Sequence, residues 1–226
     1  SVNADIANVG DFILKDSLDN YDADKTEELV GNFKSPTSKS EYIDFEGGKA
    51  YQITADGMTL QFMSIVAGFG AGVNPDWSAD NPKGIAFRIV TFDKPIGLFP
   101  RININETVGT GIDPASGNVM LYDKYGNKAD VQEYELETVG IHVPAQFDGY
   151  FVISFKDANV TNTEAGSIEN IKFTHMISLV LYMCNGNDIS QELNETKFII
   201  DDIYCMVDHI AVEASPSPEA SANVTN

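Results

Sequence analysis

The chain has 226 residues, 43% hydrophobic and 10% aromatic, enough for a packed core in one domain and against bulk disorder. Its 14 basic and 34 acidic residues give a formal net charge of −20, which repels phosphate backbones and anionic headgroups. Nucleic acid and membrane insertion are therefore set aside as partners, while neutral polymers are not penalised and divalent cations are favoured.

No apolar run reaches the ~18 residues of a membrane span. No basic-then-apolar leader opens the chain, so a signal peptide is read as absent or removed, and Ser1 as the start of a mature or excised fragment. Residues 16–40 are polar and charged and read as a long N-terminal wrap with a short helix at 25–30. Strands are expected at 41–45, 50–55 and 59–66. An irregular loop, 68–84, follows and holds the only tryptophan. Residues 85–92 and 101–105 alternate as strands, and 119–122 and 131–136 flank a turn at 123–127, the pattern of a hairpin. In residues 139–157, VGIHVPAQFDGYFVISFKD, a turn at Phe147-Asp148-Gly149 leads into a strand at 150–155. Phe151, Ile153 and Phe155 point one way, to the core; Tyr150, Val152 and Ser154 point the other. Strands at 177–183 and 198–207 complete the set. Many short strands with Gly, Pro and Asn turns, and no sustained helical period, argue for an all-β antiparallel β-sandwich over residues 1–210. Residues 211–226, AVEASPSPEASANVTN, read as a Ser/Pro-rich linker to further modules of the same polypeptide. Cys184 and Cys205 sit in apolar runs, either as two buried thiols or as a bridge between neighbouring strands.

Three segments share a family look: FEGGKAYQITADG at 45–57, VPAQFDGYFVISF at 143–155 and the closing strand FIIDDIYCMV at 198–207. In this order they resemble the jelly-roll carbohydrate-binding modules of secreted proteins of Clostridia and other gut Firmicutes, starch-adherence modules among them. The resemblance covers most of the chain and marks scaffold more than ligand. It implies a jelly-roll sandwich, an extracellular or cell-surface location, and polysaccharide as partner, with a lean to starch-like α-glucan. It also implies that an acidic residue of the closing strand joins N-terminal residues at a structural Ca²⁺. Asp201 and Asp202 interrupt that strand, and Asp11, Asp44 or Glu46 supply further oxygens, the hard donors Ca²⁺ prefers. No cofactor is otherwise required.

The residues themselves offer three candidate binding groups. Trp77 lies among Asp76, Ser78 and Asn81, an indole with short polar neighbours. A sugar stacks its C–H face on an aromatic plane and turns its hydroxyls to such a rim. The alternative is that Trp77 folds back and plugs the sandwich end. Arg101 and Asn103 share one face of a strand, which suits either a shallow glycan cleft or plain solvent exposure. Tyr122, Lys124 and Tyr125 cluster at the 123–127 turn as a second stacking platform, although turn chemistry accounts for Gly126 and Asn127.

Catalysis has little support: the three histidines are scattered, and neither HExxH nor GxSxG occurs. The leading expectation is a non-catalytic polysaccharide-binding module with Trp77 as first anchor. The alternatives are a cohesin-like or adhesin-like interaction module and a glycoside hydrolase. One tryptophan and no evident linear aromatic row favour a curved α-glucan over a flat chain. Burial of Trp77 counts against stacking there and for the interaction module.

Overall fold

The computed structural model describes residues 5–69, 74–104, 110–136, 138–161 and 164–210. In chain order its strands are β1 (Asp11–Asp16), β2 (Val30–Gly31), β3 (Lys39–Phe45), β4 (Gly48–Ala55), β5 (Leu60–Ile65), β6 (Gly84–Thr91), β7 (Ile96–Ile104) and β8 (Thr110–Asp113). They continue as β9 (Val119–Asp123), β10 (Glu133–Glu135), β11 (Val139–Val143), β12 (Asp148–Ser154), β13 (Asn159–Thr161), β14 (Met176–Asn185) and β15 (Thr196–Val207). One α-helix, α1 (Thr26–Leu29), interrupts the N-terminal wrap. None of the described helices is long and apolar enough to cross a membrane.

All strand pairs are antiparallel. Sheet A runs β3-β4-β15-β6-β12-β9, with β1 also on β15; sheet B runs β10-β11-β7-β14-β5-β2, with β8 on β7 and β13 on β8. The expected jelly-roll sandwich is therefore what forms. Its core is the inner face of both sheets. Sheet A contributes Tyr51, Ile53, Phe87, Phe151, Phe198 and Ile200, and sheet B contributes Met63, Ile65, Leu98, Ile102, Leu179 and Leu181, all fully buried. Phe151, Ile153 and Phe155 face this core, as the alternation of residues 150–155 required. β12 begins at Asp148, inside the segment expected as a turn.

One expectation changes. The 123–127 turn does close, with the Gly126 N–H donating to the Asp123 carbonyl at 2.8 Å and an antiparallel bridge between Tyr122 and Lys128, but β9 and β10 do not pair as a hairpin. Instead β9 joins sheet A beside β12, and β10 joins sheet B beside β11. The physical reason lies in burial. Val119, Met120, Leu121 and Tyr122 are buried on both faces, which demands two-sided cover. Glu133 and Glu135 are exposed and suit a short sheet edge. Cys184 and Cys205 are free thiols, one in each sheet, and burial raises the first to about 11 and the second to about 12.

The outer face of sheet A carries a second apolar cluster, Ala86, Met120, Tyr122, Val152 and Met206. The N-terminal segment covers it: Ile6, Val9 and Phe12 pack on this cluster. The Ile6 N–H donates to the Gly126 carbonyl at 2.9 Å, and Asp5 accepts the Lys128 N–H at 2.9 Å.

Trp77 is the plug, not the platform. Its side chain is 3% exposed and lies in the core 5.6 Å from the Phe69 ring. The Lys15 ammonium sits 5.4 Å over the indole and pairs with Asp80, and the Trp77 backbone N–H donates to the Phe173 carbonyl at 3.0 Å. A large indole is the cheapest way to close an end of the sandwich, because its burial outweighs any gain from exposure. Trp77→Ala is accordingly expected to lower stability by about 3–5 kcal/mol in urea denaturation, the cost of emptying a packed aromatic site.

Candidate functional site

The outer face of sheet B differs from that of sheet A. Its side chains follow from register. Tyr182 on β14 stands opposite Phe62 on β5 and Phe99 on β7. Tyr134 on β10 stands opposite Gly140 on β11. The four rings therefore form one row that runs perpendicular to the strands, across ~19 Å if four strand spacings are taken at ~4.8 Å. Phe62 and Tyr182 have centroids 6.2 Å apart at 51°, and Phe99 and Tyr134 lie 6.2 Å apart at 28°. Phe99 is covered by its neighbours, while Phe62, Tyr134 and Tyr182 keep part of their surface in solvent. Lys34 places its ammonium 5.0 Å from the Phe62 centroid.

Glycines make the row continuous. A Cβ at Gly140 would come within 2.5 Å of the Phe99 ring and of the Leu98 carbonyl oxygen. The missing side chain on β11 lets Phe99 reach across that strand to Tyr134. At Gly97 a Cβ would come within 2.5 Å of the Cys184 sulfur and 3.5 Å of the Tyr134 ring. His142 closes this end of the row. Its Nδ1 lies 2.9 Å from the Gly186 carbonyl oxygen and 3.3 Å from the Tyr134 hydroxyl.

Polar groups lie beside the row. Arg101 and Asp113 form a two-point fork, Nε to Oδ1 at 2.6 Å and an Nη to Oδ2 at 2.8 Å. Gly111 leaves room for the Arg101 stem to lie over it. Asn103 donates to the Ser178 hydroxyl at 3.2 Å, and Ser64 stands opposite Val180. Arg101 and Asn103, expected on one strand face, are thus brought onto the aromatic face. Sequence reasoning missed Phe62, Phe99, Tyr134 and Tyr182. Each sits in an unremarkable strand, and only the pairing of distant strands aligns them. The depressions of the described surface, such as one of about 410 Å³ lined by Lys83, Phe155 and Ile171, lie away from this face. An open face suits a polymer that continues past both ends.

The other expected site residues do not assemble. Asp76 caps its own turn, accepting the Ser78 N–H at 2.8 Å, and hydrogen bonds from the Ser78 hydroxyl and N–H hold its carboxyl below the usual range. Tyr122 is 2% exposed on the opposite sheet, under the N-terminal segment, and so offers no stacking face. Tyr125 is exposed at its turn with the Lys124 ammonium 5.3 Å over it, a single ring remote in the chain pairing from sheet B.

The residues expected to hold Ca²⁺ do not gather at one point. Asp11 pairs with Val207, six residues beyond Asp201 along β15, roughly 20 Å away at the strand rise. Its carboxylate accepts the Ile210 N–H at 2.6 Å. Glu46 binds Arg88, whose other contacts are to Asp148 at 3.0 and 3.2 Å. Asp201 faces Arg88 across the ladder at a β-bulge where Asp202 takes φ +47°. The guanidinium thus stands where a cation would among Glu46, Asp148 and Asp201, and the described residues contain no group of three donors arranged for a metal. Burial, reinforced by the charge of Asp202, pushes Asp201 up to about 7. Burial raises Asp202 as well.

No protein-family model matches the chain, and no curated protein sequence matches it. Among solved structures, a family 11 carbohydrate-binding module from Clostridium thermocellum, in complex with a β-1,3-1,4-mixed-linked tetrasaccharide, aligns at 12% identity. The alignment covers 90% of this chain and 99% of that one, with a TM-score of 0.48. An exo-β-agarase structure aligns at 11% identity over 89% of this chain and 25% of the other, TM-score 0.48. A family 30 carbohydrate-binding module aligns at 12% identity over 83% and 84%, TM-score 0.39.

Two outcomes are expected from this geometry. Gly140→Ala forces Phe99 or the β7 backbone to move, so it costs about 1–3 kcal/mol of stability and separates Phe99 from Tyr134, which tyrosine fluorescence follows. The second concerns Asp201. Its folded-state pKa is raised, so the folded protein holds more protons than the unfolded chain between about pH 4 and 7, and stability falls as pH rises through that window. Asp201→Asn removes the ionisation. Its stability relative to the parent protein should rise by a few kcal/mol from pH 4 to pH 8 in paired urea titrations.

Proposed function

We propose that the outer face of sheet B binds single, extended chains of a neutral polysaccharide, without cleaving them. The observation that supports this is the row Phe62, Tyr182, Phe99 and Tyr134 with hydrogen-bonding side chains beside it. The part-exposed rings of Phe62, Tyr182 and Tyr134 take the C–H faces of sugar rings, the buried Phe99 supports the row from beneath, and Arg101, Asn103 and Ser64 meet the hydroxyls. Phe62 and Tyr182 are tilted against each other by 51°, so a flat crystalline surface cannot lie on both, whereas one twisting chain can. A straight row also favours an extended β-1,4-linked backbone. The expected lean to α-glucan came from the resemblance to starch-adherence modules, with the lack of an evident row as a minor support; with a row on this face, amylopectin becomes the comparison ligand. The family 11 module named above was solved with a mixed-linked β-glucan tetrasaccharide, a ligand of this extended kind.

The non-cleaving assignment follows from the carboxylates. Among the described residues the strand rows of this face hold one, Asp113, and both its oxygens are engaged by Arg101. Glycoside hydrolysis by the usual routes needs two carboxyl groups flanking the bond. A polymer ligand places the module outside the cell or at its surface, with residues 211–226 as the tether to other modules.

Affinity electrophoresis tests the reading. Mixed-linkage β-glucan or hydroxyethylcellulose should retard the protein more than amylopectin or pectin. Tyr182→Ala and Phe62→Ala should each weaken binding about tenfold or more while the fold persists by circular dichroism. Retardation by none of the gels, or retardation untouched by both substitutions, would overturn the proposal and favour a protein-interaction module. Release of reducing sugar would overturn the non-catalytic assignment.

A further inference from the structure

The polar groups beside the aromatic row are not distributed evenly. On the side toward the start of β14 stand Ser64, Arg101 with Asp113, Asn159, and then Asn103 with Ser178. On the side toward the end of β14 the same face carries Leu60, Cys184, Gly97 and His142, which the ladders place level with one another. Cys184 is buried, Gly97 lies under the edge of the Tyr134 ring, and Leu60 is apolar, so this side offers few hydrogen bonds. The Nδ1 of His142 and the Tyr134 hydroxyl are already engaged with each other and with the Gly186 carbonyl. A sugar chain laid along the row therefore meets most of its donors and acceptors on one edge.

Resting on the glycan reading of this face, we infer that the module reads a polysaccharide from one edge, and so accepts chains branched on the opposite edge while rejecting chains branched on both. The physical reason is the asymmetry of lost hydrogen bonds. A branch directed at Arg101 and Asn103 holds the chain off these donors, so the sugar hydroxyls they would meet lose those hydrogen bonds, which weakens binding. A branch directed over Leu60, Cys184 and Gly97 displaces nothing of that kind. In a β-1,4-linked chain successive rings are turned over, so branches on neighbouring rings point to opposite edges. A single branch can always be turned to the open side by shifting the chain one ring along the row. Branches on three successive rings cannot.

Isothermal titration with three cello-oligosaccharides tests this: the bare hexaose, the same backbone with one 6-linked xylose, and one with xylose on three successive rings. The bare and singly branched ligands should bind within about threefold of each other, and the triply branched one about thirtyfold or more weaker. Leu60→Trp, which raises a wall on the open side, should weaken the singly branched ligand selectively, and Asn103→Ala should weaken bare and singly branched ligands alike. A singly branched ligand about tenfold weaker than the bare one overturns the inference, as does a triply branched ligand that binds as well as the bare one. Failure of the bare hexaose to bind overturns the underlying β-1,4-glucan reading instead, and this inference with it.

Discussion

The pairing of β14 with β7 is the constraint on which both the core and the candidate site depend. Leu179, Leu181 and Met183 turn inward with Ile102 and Leu98, and Ser178, Val180 and Tyr182 turn outward with Asn103, Arg101 and Phe99. Side chains alternate with a period of two, so a slip of one residue would carry the aromatic and polar set into the core and expose the leucines. The hydrophobic cost of that exchange holds the register. The same register that builds the core thereby aligns Phe62, Tyr182 and Phe99 on three neighbouring strands.

The two outer faces of the sandwich are resolved differently. On sheet A the apolar cluster around Met120, Tyr122 and Val152 is covered by Ile6, Val9 and Phe12, so the N-terminal segment completes a second small core. On sheet B the glycines Gly97, Gly111 and Gly140 keep the surface low, and larger neighbouring side chains lie flat across them. Phe62, Tyr134 and Tyr182 keep part of their surface in solvent there, which is what stacking on a sugar requires. The net charge of −20 fits the same picture, because it disfavours anionic polymers without affecting neutral ones.

Particular residues show why the site was less legible than the fold. Residues 150–155 declared their core face from alternation alone, and Phe151 and Ile153 are fully buried as that pattern required. Trp77 misled because an aromatic in a polar loop reads the same whether it points out or in; the contacts with Phe69 and Lys15 decide it. Tyr122 misled for a related reason. A tyrosine at a strand end near Gly126 and Asn127 gives no sign that residues 5–12, more than a hundred positions away, lie over it. Asp201 and Asp202 did signal an anomaly, a carboxylate pair in an apolar strand. In the fold the pair falls at a β-bulge opposite Arg88.

Read by itself, the amino-acid sequence determined that the chain is an antiparallel β-sandwich with the alternating faces of its strong strands buried. Period-two patterning and turn residues are local properties, and they act within a few positions. Only the tertiary structure decided where a ligand would lie. The candidate face is assembled from residues near positions 62, 100, 134 and 182, each in a strand whose outer side is uninformative alone. Strand pairing brings them together, and the glycines opposite them make the contact close. Distance in sequence hides such an arrangement, because the energy that selects it comes from the inner face of the sheets and not from the face that would bind.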